Sequence, residues 1–310
     1  MVRRLFVLPI KIEQPVPVFI VHWNRPWECI RAVQCFLEQD LPVNVTVVDN
    51  ASDFSSFETL RVNFPSNVEL VRLDRNKGWG GGLNVLLKRW LSMGKGDFCF
   101  VSAHDALPQN KCLRMLLESI QNDPNIGVVC PEYGIAQLLR FSPVRGARLV
   151  PTSPRPFGTV EPVDFPHGTL MLLRRQCLEE IDVFDERYFS YGEETEIGPR
   201  AWRHGWKVAI VWGAIVVNPG SWTPKPIFTY LWARNSLFMA RAYGGWSSAL
   251  LRAFLMVVNT IRVCLSPTDP EHDFFVSARL LAIRDFLLGK DGPPSLQFQH
   301  KIICEQERLD

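Results

Sequence analysis

Short β-branched apolar runs alternate with stretches of helical spacing through the first part of the chain. Residues 16–22 and 43–48 read as strands, and 27–39, lying between them, carries apolar side chains at helical intervals. A third strand over 68–73, a helix over 85–91 entered through a glycine-rich turn and a fourth strand over 97–102 continue the pattern. A helix over 111–121, a strand over 127–130, a strand over 168–173 and a helix over 175–181 follow. Between 136 and 162 the pattern dissolves into Pro, Arg, Gly and Ser, which predicts a long surface excursion. Beyond Pro226 the chain reads as amphipathic helix to about Leu288 and then meets a Gly/Pro break. Strands alternating with helices predict an α/β fold whose mainly parallel sheet is covered on both faces. Such sheets bind ligands at the carboxyl ends of their strands, so the residues just after each strand carry the chemical interest.

Composition narrows the function classes. Among 310 residues, 34 Lys and Arg face 32 Asp and Glu, so no long-range field favours nucleic acid. The 8 cysteines include no CxxC pair, and several sit inside apolar runs, as expected of free thiols in a reducing compartment. The N-terminal stretch from Met1 to Pro9 is too short for a signal peptide's apolar core and cleavage site. The longest apolar candidate, 249–265, is interrupted by Arg252, Asn259 and Arg262, so the expectation is a cytoplasmic protein that touches the inner face of the membrane without crossing it. Arg241, Arg252, Arg262, Arg279 and Arg284 interleave with apolar residues, which suits a helix lying on an anionic surface. Packing against the catalytic domain or a homodimer partner is the alternative.

Four short segments carry candidate chemistry. Asp49 and Asn50 follow the second strand, where a carboxylate accepts hydrogen bonds from a ribose or base, or else caps the next segment. The stretch Asn76–Asn84, with Gly78, Gly80, Gly81 and Gly82, opens a helix and offers either a phosphate-binding helix start or a tight turn. His104 and Asp105 follow the fourth strand; Asp105 suits a magnesium or manganese ion, or a helix cap. Glu193, Glu194 and Glu196 crowd at a helix start among Phe189, Tyr191, Ile197 and Trp202. A solvated acidic helix start is the ordinary reading, but apolar surroundings raise a carboxylate's pKa towards that of a useful base. Trp79, Tyr191 and Trp222 are either sugar-stacking platforms or buried aromatics.

Taken in order, these segments resemble the inverting family-2 glycosyltransferases, in particular a rhamnosyltransferase-like branch, from about Pro17 to at least Asn235. HWNRP matches the turn after the family's first strand. Asp49 matches its nucleotide-contacting aspartate, and Asn76–Asn84 its glycine-rich segment. Asp105 alone matches the aspartate-rich metal and diphosphate motif. Phe184–Glu196 matches its FDE-to-carboxylate segment with both aspartates replaced by glutamates. The resemblance implies a GT-A fold and a nucleotide-sugar donor, a dTDP- or UDP-sugar, with a saccharide or lipid-linked acceptor. It makes Glu194 the general base with Glu193 beside it, and gives Asp49, Asn76, Gly78, Gly80, Asn84, Asp105 and Gly168 to the donor site. Asn218 stands where a metal-binding His is common, so the divalent cation implied by the resemblance rests on Asp105.

The expected organisation is a catalytic domain over 1–225, with a nucleotide-binding half at 16–108 and an acceptor half at 109–225, followed by a helical extension over 226–310. Two alternatives stand beside the transferase. A sugar nucleotidylyltransferase needs a glycine-rich triphosphate loop after the first strand, which HWNRPWE lacks. A degenerate sugar-nucleotide-binding module is prompted by the incomplete metal motif and opposed by the carboxylates at 193–196.

Overall fold

The computed structural model describes residues 14–220, 223–265 and 275–295. Strands β1 (Val16–His22), β2 (Val43–Asp49), β3 (Glu69–Arg72) and β4 (Phe98–Ala103) alternate with helices α1 (Pro26–Leu37), α2 (Phe54–Asn63) and α3 (Gly78–Met93). The short β5 (Leu107–Pro108), α4 (Cys112–Asn122) and β6 (Ile126–Glu132) come next, then a hairpin of β7 (Gln137–Ser142) and β8 (Gly146–Pro151). After β9 (Val160–Pro162) come β10 (Leu170–Arg174), α5 (Arg175–Ile181), α6 (Glu193–Arg203), the long β11 (Lys207–Val217), α7 (Lys225–Leu265) and α8 (Val276–Leu287).

The main sheet runs β3-β2-β1-β4-β10-β6-β11-β5, with β9 also paired to β11. Its first four strands are parallel, β10 lies antiparallel between β4 and β6, and β6 runs parallel to β11. The carboxyl ends of β1, β2, β3, β4, β6 and β11 and the start of β10 therefore share one edge. Alternation along the strands builds two cores, since successive side chains point to opposite faces. In β1, Phe19 and Val21 join a core roofed by α3, α5 and α6, whereas Val18 and Ile20 join one roofed by α1, α2 and α4. A third cluster, around Leu231, Leu237, Ala249 and Phe286, joins α7 to α8 and takes in Phe189 and Tyr191 from the segment before α6.

Three expectations are corrected. Residues 137–151 form an antiparallel hairpin rather than an irregular excursion, its backbone satisfied by pairing from Gln137↔Pro151 to Ser142↔Gly146. The glycine-rich turn expected before a helix over 85–91 is itself the first turn of α3, and packing explains its glycines. An added side chain at Gly80 would approach Phe184 Cβ at 2.9 Å, and one at Gly82 would approach Val21 Cγ2 at 2.8 Å. At Gly78, with φ 78°, it would run into the Phe189 carbonyl. The third correction concerns the C-terminal helix, which breaks at Gly245 (φ 74°, ψ −177°), so α7 is two helices meeting at a kink. Of the 7 described cysteines all are free, with Cys264 exposed.

Candidate active site

At the ends of β1 and β2 a buried network closes on itself. Asp49 is fully enclosed; its Oδ1 lies 2.9 Å from His22 Nδ1, and its Oδ2 accepts from the Ser52 N–H at 3.3 Å and stands 3.7 Å from Arg72 Nε. The Arg25 N–H donates to His22 Nε2 at 3.0 Å, which leaves Nδ1 to carry the imidazole proton and donate it to Asp49. His22 escaped the sequence reading because it lies inside an apolar run; only its place as the last residue of β1 signals it. Beside it, Asn50 binds the start of α3 through both ends of its amide. Its Oδ1 accepts from the Lys77 N–H at 2.9 Å, and its Nδ2 donates to Asn76 Oδ1 at 3.0 Å and to the Gly78 carbonyl at 2.8 Å. The Asn76 carboxamide also accepts from the Gly78 N–H at 2.8 Å.

The helix start that might have held a phosphate has protein partners for its donors. The Trp79 N–H donates to the Phe189 carbonyl at 2.9 Å and the Gly80 N–H to Glu193 Oε1 at 3.3 Å. Asn84 is likewise engaged internally: its Nδ2 reaches the Phe184 carbonyl at 2.8 Å and Glu186 Oε1 at 2.9 Å, while its Oδ1 accepts from the Phe184 N–H at 3.0 Å. Gly78, Gly80 and Asn84 thus dock α3 onto the segment that carries the acidic cluster. Trp79 meets Phe184 edge-on at 5.1 Å and Tyr191 meets Phe228 at 4.7 Å, so packing accounts for both rings. Trp222 lies outside the described residues.

His104 and Asp105 follow β4. His104 Nε2 is enclosed without a hydrogen-bond partner, and burial drives its pKa down to about 3. It is therefore uncharged near neutral pH and does not supply the positive charge that a protonated imidazole would have offered. Asp105 is buried, and its charge, like that of Glu194, bears on the Tyr133 hydroxyl at the end of β6. Around Tyr133 a second set of residues assembles. Its hydroxyl bonds Thr169 Oγ1 at 2.8 Å, and its ring stacks on His167 at 4.1 Å. Thr169 Oγ1 also accepts from Asn218 Nδ2 at 3.0 Å, while Asn218 Oδ1 takes the Gly220 N–H at 2.8 Å.

The three glutamates separate by environment. Glu196 is ion-paired to Arg200 at 2.9 Å and accepts from the Tyr243 hydroxyl at 2.6 Å, a brace between α6 and α7. Glu193 is buried with Oε2 unpartnered; burial first, and then the charge of Glu194, push its pKa well above the carboxylate range. Glu194 is raised in the same direction, again chiefly by burial, against the lowering effect of the Gly192 N–H bonded to its Oε2 at 2.9 Å. A side chain added at Gly168, just before β10, would stand 3.3 Å from Glu194 Cγ, so the glycine lets the strand edge approach this carboxylate. Tyr191, Trp232, Ser236 and Met239 line a small cavity at Glu194. Desolvation raises a carboxylate's affinity for a proton, the direction in which a general base is tuned.

No three His, Cys, Asp or Glu side chains come together as a metal-binding group among the described residues. Both ends of the Asn218 amide are engaged within the protein, by Thr169 and by the Gly220 N–H. Of the expected ligand set this leaves Asp105, buried after β4. This donor set falls short of a protein-built metal cage.

Comparison with known proteins identifies the family and the fold. A family model described as "Glycosyltransferase like family 2" matches residues 14–236. An N-acetylglucosaminyl-diphospho-decaprenol L-rhamnosyltransferase of Mycobacterium tuberculosis is 26% identical over 268 residues, covering 73% of this chain and 87% of that protein. The low-salt glycan biosynthesis hexosyltransferase Agl10 of Haloferax volcanii is 27% identical over 51% of this chain and 52% of its own. Among solved structures, the mannosyltransferase PcManGT from Pyrobaculum calidifontis in complex with GDP-Man and Mn2+ superimposes with a TM-score of 0.55 at 16% identity, covering 89% of this chain and 86% of that one. TarS 1-349 of S. aureus in complex with UDP-GlcNAc does so with a TM-score of 0.54 at 17% identity, covering 89% and 82%. These neighbours share the GT-A glycosyltransferase fold.

Proposed function

The chain belongs to glycosyltransferase-like family 2, and from that premise we propose that it is an inverting transferase in which Glu194 is the general base. The observation that carries the reading is the Glu194 carboxylate, desolvated, held at one oxygen by the Gly192 N–H and set against Gly168 at the ligand edge of the sheet. In a single displacement the acceptor oxygen attacks the anomeric carbon as the bond to the diphosphate breaks, and the acceptor proton passes to Glu194. Inversion follows from attack on the face opposite the leaving group. The nucleoside diphosphate lies along the ends of β1, β2 and β4. Asp49 shapes that surface through His22 and Ser52, and Arg72 at the end of β3, with Arg75 and Lys77 after it, brings positive charge to the same edge.

The donor is a nucleotide sugar. Its base and sugar, dTDP- or UDP-linked deoxyhexose or hexose, are the finer proposal, supported by the likeness to a rhamnosyltransferase. That relative's name also supports a lipid-linked saccharide acceptor in envelope glycan or glycolipid synthesis. Such an acceptor fits the exposed row Leu250, Leu251, Phe254, Leu255, Val258, Ile261 and Leu265 on α7, a helix without a single acidic residue. This row suits peripheral contact with the inner face of a membrane, and association of two copies through it is the rival outcome of a vesicle-flotation assay. Incubation with a panel of dTDP-, UDP- and GDP-sugars, followed by NMR of the product's anomeric configuration, tests the main reading. A retained configuration, or no turnover of any donor, overturns it.

A further inference from the structure

The carbonyls of all four residues before Gly192 take donors from outside their own segment. Phe189 and Tyr191 adopt left-handed backbone (φ 63° and 65°), and Gly192 has φ 146°. Left-handed conformation costs a non-glycine residue roughly 1–2 kcal/mol, so this segment needs outside support to keep its shape. The support comes from α7. Fully buried Asn235 directs its Nδ2 at the carbonyls of Tyr188 (2.8 Å), Ser190 (2.8 Å) and Tyr191 (2.9 Å), and the remaining carbonyl, that of Phe189, takes the Trp79 N–H. Arg234, also fully buried, fixes which way the Asn235 amide faces. Its Nε and Nη2 stand 3.2 and 3.1 Å from Asn235 Oδ1, and because a guanidinium only donates, the amide oxygen must face it and the NH2 must face the loop. Arg234 is itself tied to the Tyr230 hydroxyl at 3.2 Å and to the Gly292 carbonyl at 2.7 Å beyond α8. One turn further into α6, the Tyr243 hydroxyl holds Glu196.

Because the Gly192 N–H is the group that holds Glu194 Oε2, the backbone direction at Gly192 decides where the carboxylate sits. We infer that Arg234, Asn235 and Tyr243 of α7 are positioning residues for Glu194, three side chains that complete the catalytic site without themselves touching the reactants. The inference rests on Glu194 being the base. Displacements of about 1 Å at a reacting group cost on the order of 10²-fold in rate.

The test uses the full chain and the nucleotide sugar turned over in the donor panel, with its nucleoside diphosphate as calorimetric probe. Asn235→Asp keeps the volume and the oxygen facing Arg234 but removes both N–H donors. It should lower kcat per nucleotide-binding site by about 10- to 100-fold, with the donor KM and the diphosphate affinity unchanged. In a Glu194→Gln background the same substitution should cost nothing further, because a residue acting only through Glu194 has nothing left to position. Wild-type kcat in Asn235→Asp, or an undiminished additional loss in the Glu194→Gln background, overturns the inference. If Asn235→Asp does not fold, Tyr243→Phe decides: a several-fold loss in kcat alone supports the inference and unchanged kcat overturns it. Wild-type turnover in Glu194→Gln itself would instead overturn the base assignment, and the two failures are thereby told apart.

Discussion

The two sides of the site are built on opposite principles. At the ends of β1 and β2, Asp49, His22, Asn50 and Asn76 find partners in one another and in the backbone, so the surface is finished before any ligand arrives. At the start of α6, Glu193 keeps an unpartnered buried oxygen, Glu194 is desolvated, and the segment leading to them is held in left-handed backbone from outside. Buried polar groups are ordinarily satisfied, and departures concentrate where strain and perturbed pKa values serve chemistry. The contrast separates a preorganised polar surface from a carboxylate pair that carries an energetic cost.

The sharpest way to break this comparison is Glu194→Gln. Loss of a positioned base should cut turnover by ~10²- to 10⁴-fold while leaving diphosphate affinity nearly intact. Wild-type-like kinetics would move the role to Glu193. On the binding side the effect should fall on affinity: Asp105→Ala and Asp49→Ala are each expected to weaken nucleoside diphosphate binding in calorimetry by about 10-fold, the scale of one lost charged hydrogen bond. Unchanged binding in both variants would place the nucleotide elsewhere.

Chelation should have a smaller effect. With a cation resting on Asp105 and no metal-binding group of three among the described residues, turnover is expected to persist at reduced rate in excess chelator and to recover only at high magnesium or manganese concentration. Full loss restored by micromolar metal would reveal a ligand set assembled only with donor bound.

The smallest effect is on stability. A raised folded-state pKa means that the folded protein holds the Glu193 proton more tightly than the unfolded chain does. That contribution is present at pH values below the ordinary glutamate value of about 4.3 and is lost as pH rises through the folded pKa. Glu193→Gln cannot ionise, so its melting temperature should exceed that of the wild type increasingly as pH rises, with the gap closing in acid. A constant difference across pH would show that Glu193 ionises as freely in the folded protein as in the unfolded chain.

The local order of elements was legible because its causes are local. Apolar alternation over residues 16–22 and helical spacing over 111–121 fix strand and helix whatever surrounds them, and the places of Asp49, Asn76–Asn84 and Asp105 just after strands point to one edge. The hairpin at 137–151 was hidden because its Pro- and Arg-rich sequence lacks an apolar rhythm, and only pairing between its two halves makes it β-structure. The β11 strand at 207–217 went unassigned behind the acidic helix that claimed attention.

Roles within the site divide the same way. Sequence alone gave the residue types and their order: three glutamates at 193, 194 and 196, one aspartate after β4, glycines after Asn76. Tertiary structure decided what each does, because hydrogen bonding and desolvation depend on neighbours distant in the chain. Arg200 and Tyr243 turn Glu196 into a brace, while burial raises the proton affinity of Glu193 and Glu194. Phe184 and Phe189, more than a hundred residues away, explain the smallness of Gly80 and Gly78. Asn235 meets the loop before Glu194 only because α7 folds back over it, a contact set by the packing of the C-terminal helices that no spacing in the sequence encodes.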